Sequence, residues 1–175
     1  HMEQLAKEKG IPFVNLTEAT AQLYESYGET KCLDYLFDGQ GSTHFNTTGA
    51  VLVARKCAEL MKEQGIMAED ITLPTELSIT PLTGDFGEAY IGQTLQKEFT
   101  LNGFGLQPTE GTVRITALEG ITLSFDQKTW KESLQADYSA STLVKSFFAQ
   151  LTLTEPGEKT GIITIHQGET TMEIP

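Results

Sequence analysis

Cysteine is scarce. Cys32 and Cys57 are the only two in 175 residues. Two thiols make neither a disulfide framework nor a zinc site. They read as buried or half-buried thiols, Cys57 on the inward side of a helix, with a single Cys32–Cys57 bridge as the alternative in an exported protein. Positive charge is scarce as well. Twelve Lys and Arg face 24 Asp and Glu, giving a formal net charge of −12 and a pI of about 4.6. That balance argues against nucleic acid and anionic membranes as partners. No apolar run approaches the ~18 residues that cross a bilayer. No signal peptide is present once His1-Met2 is read as a cloning remnant. Glycine-rich phosphate loops, metal-ligand spacings and basic-aromatic interleaving are all missing, so neither cofactor nor metal is expected. Disorder is excluded by a hydrophobic content of 39%, arranged in patterns.

Those patterns change character along the chain. Glu3 to Lys9 reads as the tail of a helix closed by Gly10. Ile11 to Leu16, a short apolar run after a glycine, reads as a buried strand. Thr17 is the expected N-cap of a helix from Glu18 to Tyr27, with Ala19, Leu23 and Tyr27 on one face and Gly28 ending it. Glu29 to Phe37 is ambiguous, with Leu33, Leu36 and Phe37 inward if helical. Asp38 to Thr43 is loop. Thr47 or Thr48 is the expected cap of a helix from Gly49 to Gln64, with Val51, Ala54, Ala58 and Met61 on its apolar stripe and Gly65 stopping it. Asn15-Leu16-Thr17 and Asn46-Thr47-Thr48 match the glycosylation sequon, a motif too short to weigh.

Composition shifts near Met67–Asp70, which suggests a domain boundary. Beyond it the helical period vanishes. Candidate strands are Glu76–Pro81, Gln93–Gly103, Gly111–Ala117, Ile121–Phe125, Leu143–Leu153, Gly161–His166 and Thr170–Ile174. Alternation in Val113-Arg114-Ile115-Thr116 and Ile163-Thr164-Ile165 is that of a half-buried sheet. Seven short strands over roughly 100 residues fit a β-sandwich. The expected fold class is α+β: an incomplete α/β segment over residues 3–67 with two or three helices, then an all-β sandwich over residues 72–175.

The stretch Gly41-Ser42-Thr43-His44-Phe45-Asn46-Thr47-Thr48-Gly49 carries the most chemistry. A histidine on a loop just ahead of a helix suits acid–base work, although a lone loop histidine is ordinarily solvated. Thr43-His44-Phe45-Asn46 followed by Gly49-Ala50 resembles the last conserved block of the SGNH (GDSL) hydrolases, especially bacterial rhamnogalacturonan-acetylesterase-like carbohydrate esterases. The similarity runs from about Glu3 to Ile66 and includes Lys9–Leu16, which is similar to the family's last core strand. It implies that His44 is the general base for a serine nucleophile. The family's imidazole-orienting Asp, three residues before the His, is Gly41 here, and Asp38 is the candidate substitute. The family's Gly-Asp-Ser nucleophile motif and its Gly and Asn oxyanion donors have no counterpart. Gly84-Asp85-Phe86 carries Phe in place of the serine, and Ser42 is too close to His44 in sequence to serve.

A second resemblance covers about Leu73 to Ile174. Asp85–Gln93 and Phe99–Gly103 resemble the opening of bacterial immunoglobulin-like domains of the Hydin-related sort. Gly120 to Trp130 is similar to the middle of such domains in secreted proteins of Bacteroidetes, and Pro156–Gly161 to their last hairpin. These residues are turns and core positions, and the lack of a cysteine pair excludes a disulfide-pinned immunoglobulin domain.

The aromatics Phe125, Trp130, Phe147 and Phe148 could form a sugar-stacking platform or a core; the Phe residues read as core, and Trp130 is a candidate glycan contact. His166, near a strand end, reads as a solvated bystander. Two readings follow. In the first, the chain is the C-terminal portion of a secreted, periplasmic or cell-surface esterase that deacetylates plant polysaccharide, itself inactive for want of nucleophile and oxyanion hole, with His44 and Asp38 its catalytic residues. In the second, it is a non-catalytic sandwich module for glycan or protein, or a spacer. A strand apolar on both sides needs sheet neighbours that residues 3–67 do not offer, so that region is expected to be poorly ordered or homodimeric.

Overall fold

A computed structural model describes residues 1–39, 43–118 and 120–175. The chain divides into two compact units, His1–Pro74 and Thr75–Pro175. Four helices and two antiparallel sheets make it a mixed α+β protein. No helix among the described residues is long and apolar enough to cross a membrane.

The first unit is helical: α1 (Met2–Lys9), α2 (Leu16–Tyr27), α3 (Glu29–Leu36) and α4 (Thr47–Glu63). Gly10 closes α1 in the left-handed conformation, φ 64°, where a side chain would be strained. Helix α1 buries no residue, whereas α2, α3 and α4 pack on one another around Ala19, Cys32, Leu36 and Leu52. Ile11–Leu16 is not a strand. Residues 11–15 have no regular structure and Leu16 already begins α2. An apolar run becomes a strand only where another strand accepts its hydrogen bonds, and the described part of this unit holds none. Ile11 is 60% exposed as a result.

Both caps expected on threonine sit instead on an upstream asparagine, Asn15 two residues before Thr17 and Asn46 one before Thr47. Asn15 accepts from the Glu18 N–H at 3.3 Å, and Asn46 from the Gly49 N–H at 2.9 Å. The asparagine amide oxygen accepts from an N3 amide as well as a threonine hydroxyl does. The buried face of α4 runs through Thr48, Gly49 and Leu52 rather than the expected Val51, Ala54, Ala58 and Met61, and Ala54 is exposed.

The second unit has eight strands: β1 (Ser78–Thr80), β2 (Thr94–Phe104), β3 (Gly111–Ala117), β4 (Ile121–Ser124), β5 (Ser133–Tyr138), β6 (Thr142–Thr152), β7 (Ile163–Gln167) and β8 (Thr170–Ile174). One sheet runs β1-β2-β6-β4 and the other β5-β3-β7-β8. Their inward faces share one core. Phe99, Leu101, Leu123, Phe147 and Ala149 come from the first sheet, and Val113, Ile115, Ile163 and Ile165 from the second. Phe99 and Phe147, paired across β2 and β6, stack with centroids 5.4 Å apart and are fully buried. Phe147 is therefore core and no part of a sugar platform.

Strand β5 is absent from the expected set. The segment Asp85-Phe86-Gly87 is a turn: Asp85 Oδ1 accepts the Gly87 N–H at 2.8 Å, Gly87 sits at φ 81°, and Phe86 packs on the core. A sharper turn follows β4. Asp126 Oδ1 accepts the N–H of Thr129 at 2.8 Å, the N–H of Lys128 at 2.9 Å and the Ser124 hydroxyl at 2.9 Å. Those bonds, the Thr129 amide first, hold the Asp126 carboxyl well below the usual range, at about 2.

Replacing Phe147 by Ala should destabilise the second unit by about 3–5 kcal/mol, read by urea unfolding. The Asp126 effect has a defined sign. A carboxyl with a depressed folded-state pKa contributes stability above its unfolded pKa and loses it as pH falls through the folded one. The melting-temperature gap between wild type and Asp126→Ala should thus be full above about pH 4 and close as pH approaches 2. A gap that is constant from pH 6 to pH 2 would contradict this account.

Candidate functional site

The loop that joins α3 to α4 carries His44. Gln40, Gly41 and Ser42 lie outside the described residues, and with them the expectations placed on Gly41 and Ser42. The loop's two ends are fixed to each other. Phe37 and Phe45 form a β-bridge, the Asp38 N–H donates to the His44 carbonyl at 3.0 Å, and the Asn46 N–H donates to the Leu36 carbonyl at 3.1 Å.

Asn46 does most of this work. Its Nδ2 donates to the Tyr35 and Phe37 carbonyls at 3.0 and 3.1 Å, while its Oδ1 caps α4. Helix α3 ends in an extended Phe37 rather than a left-handed residue, so its last carbonyls have no glycine cap to satisfy them. The asparagine amide takes that place. Gly49 permits the approach: a Cβ there would lie 2.1 Å from the Leu36 carbonyl oxygen. Phe45 rests against Phe37, centroids 5.0 Å apart, with Tyr24 completing a cluster of three rings.

His44 is exposed at this loop, and so is Asp38. Backbone hydrogen bonding brings the two residues together. An imidazole on a loop fixed at both ends can take a proton from a hydroxyl brought within hydrogen-bond reach. The other candidates lie elsewhere. Trp130 is half-buried, just past the Asp126 turn in the second unit. His166 is half-buried, with Nδ1 3.1 Å from Thr171 Oγ1. Cys32 is buried and Cys57 half-buried, both free thiols, and burial pushes the Cys32 thiol up. Among the described residues no group of three or more His, Cys, Asp and Glu is placed to hold a metal ion.

This chain is similar to the rhamnogalacturonan acetylesterase RhgT of Bacillus subtilis (strain 168), at 38% identity over 81 residues, which is 39% of this chain and 35% of that protein. The chain therefore spans about a third of the relative's length. The match supports a relationship to SGNH-like hydrolases and goes no further. No protein-family model matches. A solved structure of Pseudomonas fluorescens alkylpurine DNA glycosylase AlkC bound to DNA containing an abasic site analog aligns with 72% of this chain and 37% of its own, at 10% identity and a TM-score of 0.28. A likeness that slight carries no argument.

The sequence singles out His44 as a candidate but gives no reason for its neighbours. Asn46 and Gly49 hold the loop; the signal was an asparagine three residues before a glycine at a helix start. Asn46→Ala should lower the stability of the first unit by about 2–3 kcal/mol, since it removes a cap and two further bonds. Gly49→Ala is the sharper test. Alanine is the better helix former by about 1 kcal/mol, yet here it should destabilise by about 1–3 kcal/mol through overpacking. Both are read by urea unfolding followed by circular dichroism.

Proposed function

We propose that the first unit carries the general base of an SGNH-type carbohydrate esterase that removes acetyl groups from plant polysaccharide. The observation that supports this best is His44: exposed, on a loop whose ends are locked by Asn46, in the stretch that resembles the family's histidine block. The partial identity with an acetylesterase points the same way.

In this reading His44 accepts the proton of a serine hydroxyl as it attacks the acetyl carbonyl. The acyl-enzyme forms, the sugar hydroxyl leaves with a proton from the imidazole, and water activated by the same imidazole releases acetate. The orienting role is assigned to Asp38, whose N–H bonds the His44 carbonyl. The serine and the oxyanion donors are assigned to polypeptide outside residues 1–175. Strands from that same polypeptide would pair with residues 11–15, where Ile11 is exposed and Phe13 and Val14 are half-buried. A second copy of the chain is the competing cover for that segment. With an extracellular polymer as substrate, the parent protein belongs to the cell surface, the periplasm or the medium.

The second unit reads as an immunoglobulin-like module. With β1, β2, β6 and β4 in one sheet and β3, β7 and β8 in the other, it follows the ABED and CFG partition of such domains. Strand β5 is an addition at the β3 edge, which in chain order follows the strand in the D place and precedes that in the E place.

The 175 residues alone should show no turnover of p-nitrophenyl acetate above background, because members of a catalytic triad act as a unit. In the parent protein, His44→Ala should lower kcat by roughly 10³-fold or more. Turnover by residues 1–175 that His44→Ala abolishes would refute the assignment of the nucleophile to another segment.

A further inference from the structure

The β1-β2-β6-β4 sheet turns Phe99, Phe147, Ala149 and Leu123 into the core, so their sequence neighbours form its outward face. Pairing register orders that face into rows. One row runs Glu98–Phe148–Ser124 across β2, β6 and β4. The row beside it runs Gln96–Gln150–Thr122, and the next pairs Thr94 with Thr152. Beyond β4 the chain returns as a further short rung, with Leu123 and Lys131 exchanging both backbone hydrogen bonds. Trp130, one residue before Lys131, therefore falls on the outward side, next to Ser124 in the Phe148 row.

Apart from Glu98, these rows are uncharged. Gln96 Nε2 donates to Gln150 Oε1 at 2.9 Å, which leaves Gln96 Oε1 as an acceptor and Gln150 Nε2 as a donor for a ligand. Thr94 and Thr152 join hydroxyls at 2.9 Å. Thr94, Gln96 and Thr152 are exposed, and Phe148, Gln150, Thr122 and Trp130 are half-buried. Two aromatic rings thus stand two inter-strand steps apart, roughly 10 Å or about two hexose rings. A row of amides and hydroxyls lies roughly 7 Å to one side. Amides and hydroxyls that both donate and accept match vicinal diols, and aromatic faces match the C–H faces of sugar rings. Glu98 is the one charge in these rows, and it sits on a chain of net charge −12. A polyanion is repelled by such a face and an uncharged glycan is not.

We propose that this outward face binds a neutral polysaccharide through Trp130 and Phe148 as stacking platforms and Gln96, Gln150 and Thr122 as hydrogen-bonding groups. The Asp126 turn fixes Trp130 without touching the glycan. This site is independent of the esterase reading.

Trp130 is the only tryptophan in the chain, so intrinsic fluorescence reports on it alone. The full 175-residue chain is titrated with soluble arabinoxylan, mixed-linkage β-glucan and glucomannan, with polygalacturonate as the charged comparison, and the same polymers are cast in native affinity gels. At least one neutral polymer should shift Trp130 emission and retard migration, and polygalacturonate should do neither. Phe148→Ala and Gln150→Ala should each weaken binding about tenfold, or ~1.4 kcal/mol, with both variants keeping the wild-type circular dichroism spectrum. Three results overturn the proposal: no shift and no retardation with any neutral polymer, unchanged affinity in both variants, or binding of polygalacturonate as tight as that of the neutral chains.

Discussion

The Asn46 side chain is the constraint on which the His44 loop of the first unit depends. Helix α3 stops without a left-handed residue, which leaves carbonyls at its end in need of donors. Helix α4 starts with N–H groups in need of acceptors. One amide offers both, so it joins the end of one helix to the start of the next. The loop between them is closed by geometry that neither helix has alone. His44 sits two residues before that asparagine, on backbone held from the other side by the Asp38 N–H. Its exposure and its fixed position have the same cause.

The second unit solves a related problem with a carboxylate. Asp126 gathers two amides and a hydroxyl into one turn, with Gln127 at φ 58° as the cost in backbone strain. Short polar side chains that bond to nearby backbone compete with regular structure and so belong at its ends. Here each such residue lies within four positions of an accessible ring, His44 in one unit and Trp130 in the other. The fixed turn and the accessible ring form one local device. The carboxylate differs from the amide in one respect: its hold depends on charge, so acid weakens the turn beside Trp130 and leaves the Asn46 clasp intact.

Much of the second unit could be read from sequence because its signal is local. Gly111–Ala117 and Thr170–Ile174 are strands at the boundaries their alternation implies. Ser133–Tyr138 alternates as well, buried at Leu134, Ala136 and Tyr138, but Ala136 is too small and the outward Ser133 and Asp137 too turn-like to announce an edge strand. In the first unit the errors share a cause. The apolar run at 11–16 reports a preference for burial and says nothing about whether a partner strand is at hand. The stripe on α4 was placed by hydrophobicity, yet its deepest contact is Gly49 against a carbonyl, a position selected for having no side chain. His44 was visible as a residue type in a motif. The pinning of its loop was not, because Asn46 holds Tyr35 and Phe37 by their backbone carbonyls, which a residue of any type would present.

The two proposed sites constrain each other's substrates. If both proposals hold, a weak polymer-binding face on the same chain would raise the concentration of ester groups near His44 without any new contact there. That gain exists only when both sites accept the same chain. The related enzyme is named for rhamnogalacturonan, a polymer that contains uronic acid, whereas this face carries Glu98 within a strongly acidic protein. A polyuronate would be drawn to neither the face nor the chain as a whole at low salt, and screening would relax this only for charges separated by more than roughly 8–10 Å. If the two proposed sites work on one polymer, its backbone is therefore uncharged where it meets β2 and β6.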